Sequence, residues 1–232
     1  MTQRIVIFGS AEIAELAHFY FTHDSGYEVV AFTVDDAYVN EDSLLGLPIV
    51  PWSKLKDLYP PQDYKAHVAL SYKGLNRLRQ VKYEQCKSAG YELVNYISSK
   101  AVVWPGLNIG DNCFFLEQQN IQPNVEIGNN VLLWSSNHIG HGSKIGSHCY
   151  FASHIVVSGH VTIGERCFIG VNASFKDFIS VGNDNFIAMS SIVTKDLPDH
   201  TIVLPAQSTI LLQTDEKNRK IIEKTFGKYE NE

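Results

Sequence analysis

Asn137–Gly146 reads NHIGHGSKIG and His160–Ala173 reads HVTIGERCFIGVNA. In both stretches a bulky apolar residue returns at every sixth place. Followed outward, the spacing holds without insertion from Ile97 to Val193, through Val103, Ile109, Phe115, Ile121, Ile127, Leu133, Ile139, Ile145, Phe151, Val157, Ile163, Ile169, Phe175, Val181 and Ile187. A period of six fits neither the 3.6 of an α-helix nor the two-residue alternation of a strand. It fits a chain that turns a corner every six residues and points one large side chain inward on each face. Three such faces close a coil of eighteen residues. At strand spacing the stack is a prism of about five to six coils, roughly 27 Å tall. In such a repeat each coil covers the next, and the ends need caps.

The places after each apolar residue support this winding. Glycine follows at 110, 128, 140, 146, 164, 170 and 182, and is read as the residue at a sharp corner. Four places after the apolar residue come smaller side chains such as Ala101, Cys113, Val131, Ser143, Cys149, Cys167 and Ala173. Cys113, Cys149 and Cys167 therefore share one column inside the prism. No Cys-x2-Cys spacing lets thiolates converge on a metal, so buried free thiols and no metal are expected. His148, His154 and His160 are six apart, fall on successive faces and point away from one another. The five-apart pair His18 and His23 lies outside the repeat.

The first ninety-five residues follow another pattern. Arg4–Gly9 reads as a buried strand, Ala11–His23 as an amphipathic helix, Tyr27–Val34 as a second strand and Pro51–Leu58 as a short helix. His67–Ser71 reads as a third strand, Asn76–Ala89 as a helix stopped by Gly90, and Tyr91–Tyr96 as a fourth strand. Alternating strands and helices predict a small, Rossmann-like α/β unit with a parallel sheet. In such sheets ligands gather at the carboxyl ends of the strands, here Gly9-Ser10, Asp35-Asp36 and Ser71-Tyr72. The organisation expected is therefore an α/β unit over 1–95, a parallel β-helix over 96–205 and a tail over 206–232. In the tail, Thr214-Asp215 caps a helix from Asp215 to about Phe226, Gly227 stops it, and Ile221, Ile222 and Phe226 pack it onto a trimer or over the prism's open end.

The chain has 232 residues, 44% apolar and 19% charged, with a formal net charge of −6. That balance, with no basic run, argues against nucleic acid as a partner. No segment is long and apolar enough to span a bilayer, and the chain opens directly into a strand. A cytoplasmic protein without a membrane partner is expected.

The order of α/β unit and uninterrupted hexapeptide prism, with NHIGHGSKIG, HVTIGERCFIGVNA and VTKDLPD from Val193, resembles the sugar acyltransferases of the PglD, NeuD and perosamine N-acetyltransferase group. The resemblance implies a left-handed β-helix and a homotrimer. It implies an N-terminal unit that holds a nucleotide-linked amino sugar, and acetyl-CoA as co-substrate in the groove between neighbouring prisms. The reaction implied is acetylation of the sugar amine, for synthesis of a bacterial surface glycan such as O-antigen. His141 matches the catalytic histidine, and Gly159, eighteen residues on, matches the glycine whose amide faces the thioester. Val171, Asn172, Met189 and Ser190 match positions along the pantetheine, and Lys195 lies toward the nucleotide end. For the sugar nucleotide the expected contacts are Gly9, Ser10, Asp35, Asp36, Ser71, Lys73, Arg77 and His138.

Imidazole suits the implied chemistry, because an amine attacks a thioester only through a free lone pair and must lose a proton. The oxyanion that forms needs a fixed donor such as a backbone N–H. The chain departs from its relatives in three places. Gly142 stands where many carry Asp or Glu after the histidine, so a backbone carbonyl or a stacked side chain (Asn124, His160, Asn137 or His138) must orient the ring. The first turn reads GSAEIAE, where Glu12 and Glu15 would repel a pyrophosphate, so either Lys73 or Arg77 contacts the phosphates or the donor is not a standard nucleotide sugar. After the prism, Leu204-Pro205-Ala206-Gln207 lacks the usual basic residue. Two other readings stay open: a sugar O-acetyltransferase, and a non-catalytic trimeric scaffold.

Overall fold

The structure, a computed structural model, describes residues 3–227. It opens with β1 (Gln3–Phe8), α1 (Glu12–His23) and β2 (Tyr27–Val34), then β3 (Ser43–Leu44), β4 (Leu47–Pro51), α2 (Trp52–Leu58), β5 (Lys65–Val68) and α3 (Arg77–Ser88). The sheet runs β3-β4-β2-β1-β5, all parallel except the β3–β4 hairpin. Ile5–Phe8 are buried throughout, as expected of a central parallel strand covered on both faces. On α1, Ala14, Ala17 and Phe21 are the buried residues, one stripe at helical spacing.

Three elements differ from the sequence reading. β4 lies outside the expected strands, because Pro48 and Pro51 disguise it; proline is tolerated here beside a two-residue edge strand. The third strand is Lys65–Val68 rather than His67–Ser71, and it ends where the prism's Asn112 amide bonds both the N–H and the carbonyl of Val68. Tyr91–Tyr96 is not a strand of this sheet. Leu93 makes a single bridge to Ala66, and Tyr96–Ile97 already belongs to the prism.

From Tyr96 the chain winds three parallel sheets of seven, six and five two-residue strands. In order of winding, the first face carries Phe114–Phe115, Leu132–Leu133, Tyr150–Phe151 and Phe168–Ile169. The second carries Asn120–Ile121, His138–Ile139, Val156–Val157 and Ser174–Phe175. The third carries Glu126–Ile127, Lys144–Ile145, Thr162–Ile163 and Ser180–Val181. The sixth-place residues from Phe115 to Val193 are buried, whereas Ile109 and its predecessors at the open first coils are only partly so. Cys113, Cys149 and Cys167 fill the same interior as free, fully buried thiols.

The corner glycines have a different cause from the one expected. The left-handed residue of each corner is the third after the apolar one: Asn112, Gln118, Asn124, Asn130, Ser136, Gly142, His148, His154, His160, Arg166, Asn172, Phe178, Asp184 and Ser190. The glycine directly after the apolar residue is selected by the coil above it. A Cβ on Gly140, for example, would lie 2.5 Å from the Ser158 carbonyl carbon. Close stacking, not backbone curvature, excludes a side chain there.

The β-sheet unit docks on the first face. Phe21, Phe32 and His67 pack there with Tyr96, Phe114, Leu132 and Tyr150. α3 grips the edge between the third and first faces. Arg79 donates to the carbonyls of His148 (2.9 Å) and Cys149 (3.1 Å), and Asn76 donates to those of Arg166 and Cys167. The tail forms α4 (Glu216–Phe226), capped by Asp215, whose side chain accepts from Lys217 N–H, and ended at Gly227. Of the two packings expected, the one over its own prism is not made: Ile221, Ile222 and Phe226 are exposed in the single chain. The last part of the expected 206–232 tail, 228–232, lies outside the described residues. Among the described residues no helix is long and apolar enough to cross a membrane.

Candidate active site

His141 sits on the edge between the second and third faces, where the corner follows His138–Ile139. The Gln122 side-chain oxygen, one coil below, accepts from His141 N–H at 2.9 Å and lies 3.1 Å from the ring Nδ1. A backbone N–H can only donate, so the Gln122 atom facing both groups is the oxygen, and Nδ1 must carry the ring proton toward it. Nε2 is left with a lone pair. The other side of the ring lies against Gly159 one coil above. A Cβ there would stand 2.8 Å from Cε1 and 3.0 Å from Nε2, so only glycine lets the imidazole rest on that backbone. Among the described residues nothing accepts the Gly159 N–H. A proton acceptor and a free main-chain donor thus meet on adjacent coils.

Gln122 escapes the sequence reading, which seeks the orienting group among residues stacked on position 142. The readable signal is a polar residue nineteen places before the histidine, one coil down and one residue back. Of the candidates named, Asn137 is buried and structural, accepting from Ile155 N–H and donating to the Trp134 carbonyl. His138 belongs to the second face. Asn124 makes no bond to the ring. His160 packs edge-on to it, with centroids 5.0 Å apart at 87°.

The residues expected along the acyl-CoA fall on two edges. Lys195 stands on the His141 edge, two coils above Gly159, and its neighbour column holds Phe178, 73% exposed and unforeseen from the sequence. Val171, Asn172, Met189 and Ser190 lie on the edge between the first and second faces. Val171 and Met189 are exposed, as are Val156 and Ile192 on the second face between the two edges.

The residues expected at the sugar nucleotide split as well. Gly9, Ser10, Asp35, Lys73 and Arg77 line one cleft of about 580 Å³ at the carboxyl ends of β1 and β2, with Tyr38, Leu78, Val81 and Lys82. Leu78, Val81 and Lys82 continue the α3 face that begins at Arg77, a helical spacing open to sequence reading. Lys82 Nζ pairs with the Asp35 carboxylate at 2.7 Å, so that acid is already compensated. Arg77 pairs with Asp184 of the prism at 2.8 Å. Asp184 is itself held by Arg166 through two bonds, at 2.9 and 3.1 Å, and these keep its carboxyl below the usual range. Glu12 and Glu15 do not line this cleft; they face a separate hollow beside His18.

Asp36, Ser71 and His138 are not brought to the cleft. Asp36 accepts from Ser53 N–H and Oγ–H in the first turn of α2, which lowers its pKa. His148, His154 and His160 occupy three different edges. Among the described residues no group of three or more His, Cys, Asp or Glu is placed to hold a metal ion.

Residues 160–195 match the model described as the hexapeptide repeat of succinyl-transferase. PerB from Caulobacter crescentus, solved with CoA and GDP-perosamine, superposes with a TM-score of 0.77 at 26% identity, over 87% of this chain and 94% of its own. The chain has the architecture of the hexapeptide-repeat sugar acyltransferases. The acetyltransferase domain of PglB from Neisseria gonorrhoeae superposes with a TM-score of 0.77 at 20% identity, over 88% of this chain and 100% of its own. WeeI from Acinetobacter baumannii gives 0.74 at 20%, over 90% and 100%. No curated protein matches at the sequence level. The three-sided coil is therefore the left-handed parallel β-helix of this acyltransferase fold, and the PglB domain has also been solved in complex with acetyl coenzyme A.

Proposed function

We propose that the protein is an acetyl-CoA-dependent N-acetyltransferase acting on a nucleotide-linked amino sugar, in the synthesis of a bacterial surface glycan. Residues 1–95 hold the sugar nucleotide, 96–205 carry the acyl transfer, and His141 is the general base. The observation that carries the reading is the pairing of His141 Nε2 with the Gly159 backbone on adjacent coils. In the reaction the sugar amine attacks the thioester carbonyl carbon while Nε2 takes the amine's proton. The carbonyl oxygen becomes an oxyanion facing the Gly159 N–H. Collapse breaks the C–S bond, and the CoA thiolate leaves to be protonated as the amide forms.

The reading includes a homotrimer, and the topology of the chain calls for at least a second copy. The cleft lies by the edge between third and first faces, whereas His141 lies on the one edge that does not border the docked first face. Cleft and base of a single chain thus stand on opposite sides of the prism. A second chain brings its base to the first chain's cleft. The exposed Val156, Val171, Met189 and Ile192 give neighbouring prisms an apolar surface between which the pantetheine runs. The cytoplasm, where acetyl-CoA and sugar nucleotides are found, is the compartment proposed. PerB's complex with CoA and GDP-perosamine supports the substrate class.

The test is to incubate the protein with acetyl-CoA and UDP-, GDP- and dTDP-linked amino sugars, reading products by mass. N-acetylated sugar nucleotide is expected from one of them, with turnover reduced by about 10²- to 10⁴-fold in His141→Asn. Acetyl on oxygen would move the reading to a sugar O-acetyltransferase. Thiol release undiminished in His141→Asn would remove the base, and no CoA binding at all would leave a scaffold.

A further inference from the structure

Gly142 sits at φ +66°, and a Cβ there would meet His160 Nδ1 at 2.6 Å and Cε1 at 2.7 Å. The space beside His141 that a side chain at 142 would enter is therefore taken by the ring of His160. That ring stands edge-on to His141, and its own other face is covered by Phe178, with centroids 5.0 Å apart and planes 8° from parallel. The His160 N–H also donates to the His141 carbonyl at 2.8 Å, which fixes the two residues in register. His141 is exposed, and its ring makes one hydrogen bond, through Nδ1 to Gln122. A ring held at one atom swings about that bond, and the swing carries Nε2 away from Gly159. A second contact on its flank stops the swing.

We infer that His160, backed by Phe178, is a positioning residue that fixes the plane of the His141 imidazole in place of a side chain at 142. The inference rests on the acyl-transfer reading of His141. The aromatic column on this edge thereby acts as a single support, with stacking passing from Phe178 to His160 and contact from His160 to the base. Such a support needs a flat, edge-on ring rather than a titrating one, so phenylalanine at 160 is expected to serve and alanine is not.

The experiment measures kcat and KM for acetyl-CoA on the full-length protein with its amino-sugar acceptor, alongside thermal melts. His160→Ala is expected to lower kcat by about tenfold, the scale of a misplaced catalytic group, with KM for acetyl-CoA held within about twofold. His160→Phe is expected to keep kcat within about threefold of the parent, since the flat ring is retained. Gly142→Asp alone is expected to lower kcat, since its side chain meets the ring. Combined with His160→Ala it is expected to recover part of the loss, because Asp tolerates the left-handed backbone and enters the vacated space. An unchanged kcat in His160→Ala, or a His160→Phe as impaired as His160→Ala at equal melting temperature, overturns the inference. His141→Asn run in parallel separates the two levels. Undiminished turnover there removes His141 as the base, and with it the reading this inference rests on, whereas turnover lost there but untouched by His160→Ala sinks only the positioning role.

Discussion

On the edge between the third and first faces, the left-handed corner positions hold Asn112, Asn130, His148, Arg166 and Asp184. On the edge between the second and third they hold Asn124, Gly142, His160 and Phe178. The backbone is the same on both edges, and so is the rise per coil. In the first column the Asn112 amide donates to Asn130 Oδ1, the Asn130 amide donates to His148 Nδ1, and Arg166 holds Asp184. These polar groups are partnered because α3 and β5 cover the edge and exclude water. In the second column the rings of His160 and Phe178 stack in the open, beside an exposed histidine. Cover, not local conformation, turns one edge into a joint and leaves the other available for chemistry.

The two edges differ most in energy at Arg79. The residue is 2% exposed, among the described residues its guanidinium has only Asn76 and the carbonyls of His148 and Cys149 as partners, and burial lowers its pKa to about 10. Carbonyl dipoles, not a carboxylate, hold this charge. Arg79→Ala would leave both carbonyls facing a void, a loss of about 3 to 5 kcal/mol in urea unfolding. Phe178→Ala on the open edge is expected to cost under about 1 kcal/mol. Equal losses would mean that the joint is not the stronger edge.

Acid separates the edges next. His148 lies at the joint and His67 beside it, under the docked first face, and desolvation pulls each pKa down from 6.5 to about 4. His148 Nδ1 also accepts from Asn130, which a protonated ring cannot do. Because the folded pKa lies below the unfolded one, unfolding takes up protons between those values. Stability is therefore complete above about pH 6.5 and is lost as pH falls toward 4. At pH 5 the fully buried His67 alone accounts for about 2 kcal/mol. Urea midpoints at about pH 7 and pH 5 measure it, and His67→Phe, if it folds, is expected to flatten the slope.

The six-residue period and the inward apolar row are legible in the sequence because burial repeats with the coil, as Phe115, Leu133 and Phe151 illustrate on one face. β4 is not, since Pro48 and Pro51 carry turn signals that a two-residue edge partner overrides. The role of Gly140 is easily misread because a corner and a close approach select the same residue, and only the coil eighteen places away distinguishes them. Arg79 and Arg77 look alike in SYKGLNRLR, two cations on one helix start. One becomes a buried strut and the other lines a cleft, because the edge they meet lies some seventy to a hundred residues further on. Gln122 is hidden for a similar reason: it reaches sideways into the neighbouring register rather than straight up its own column.

That sideways reach makes the smallest and sharpest test of the open edge. Gln122 orients His141 with a neutral oxygen, so it selects the Nδ1–H tautomer without adding negative charge beside the imidazole. Gln122→Ala releases the tautomer and the backbone N–H together and is expected to lower kcat by about tenfold, equivalent to about 1.4 kcal/mol. Gln122→Glu keeps the acceptor but adds a carboxylate, which favours the imidazolium. A base with higher proton affinity is free only at higher pH, so the acid limb of the kcat profile is expected to move upward, by about one unit or less at this exposed site. A limb that moves downward, or an alanine variant as active as the parent, would show that Gln122 does not face the reacting imidazole during turnover. The contrast would then narrow to the buried joint, where polar ladders act, and the open edge would rely on its aromatic column alone.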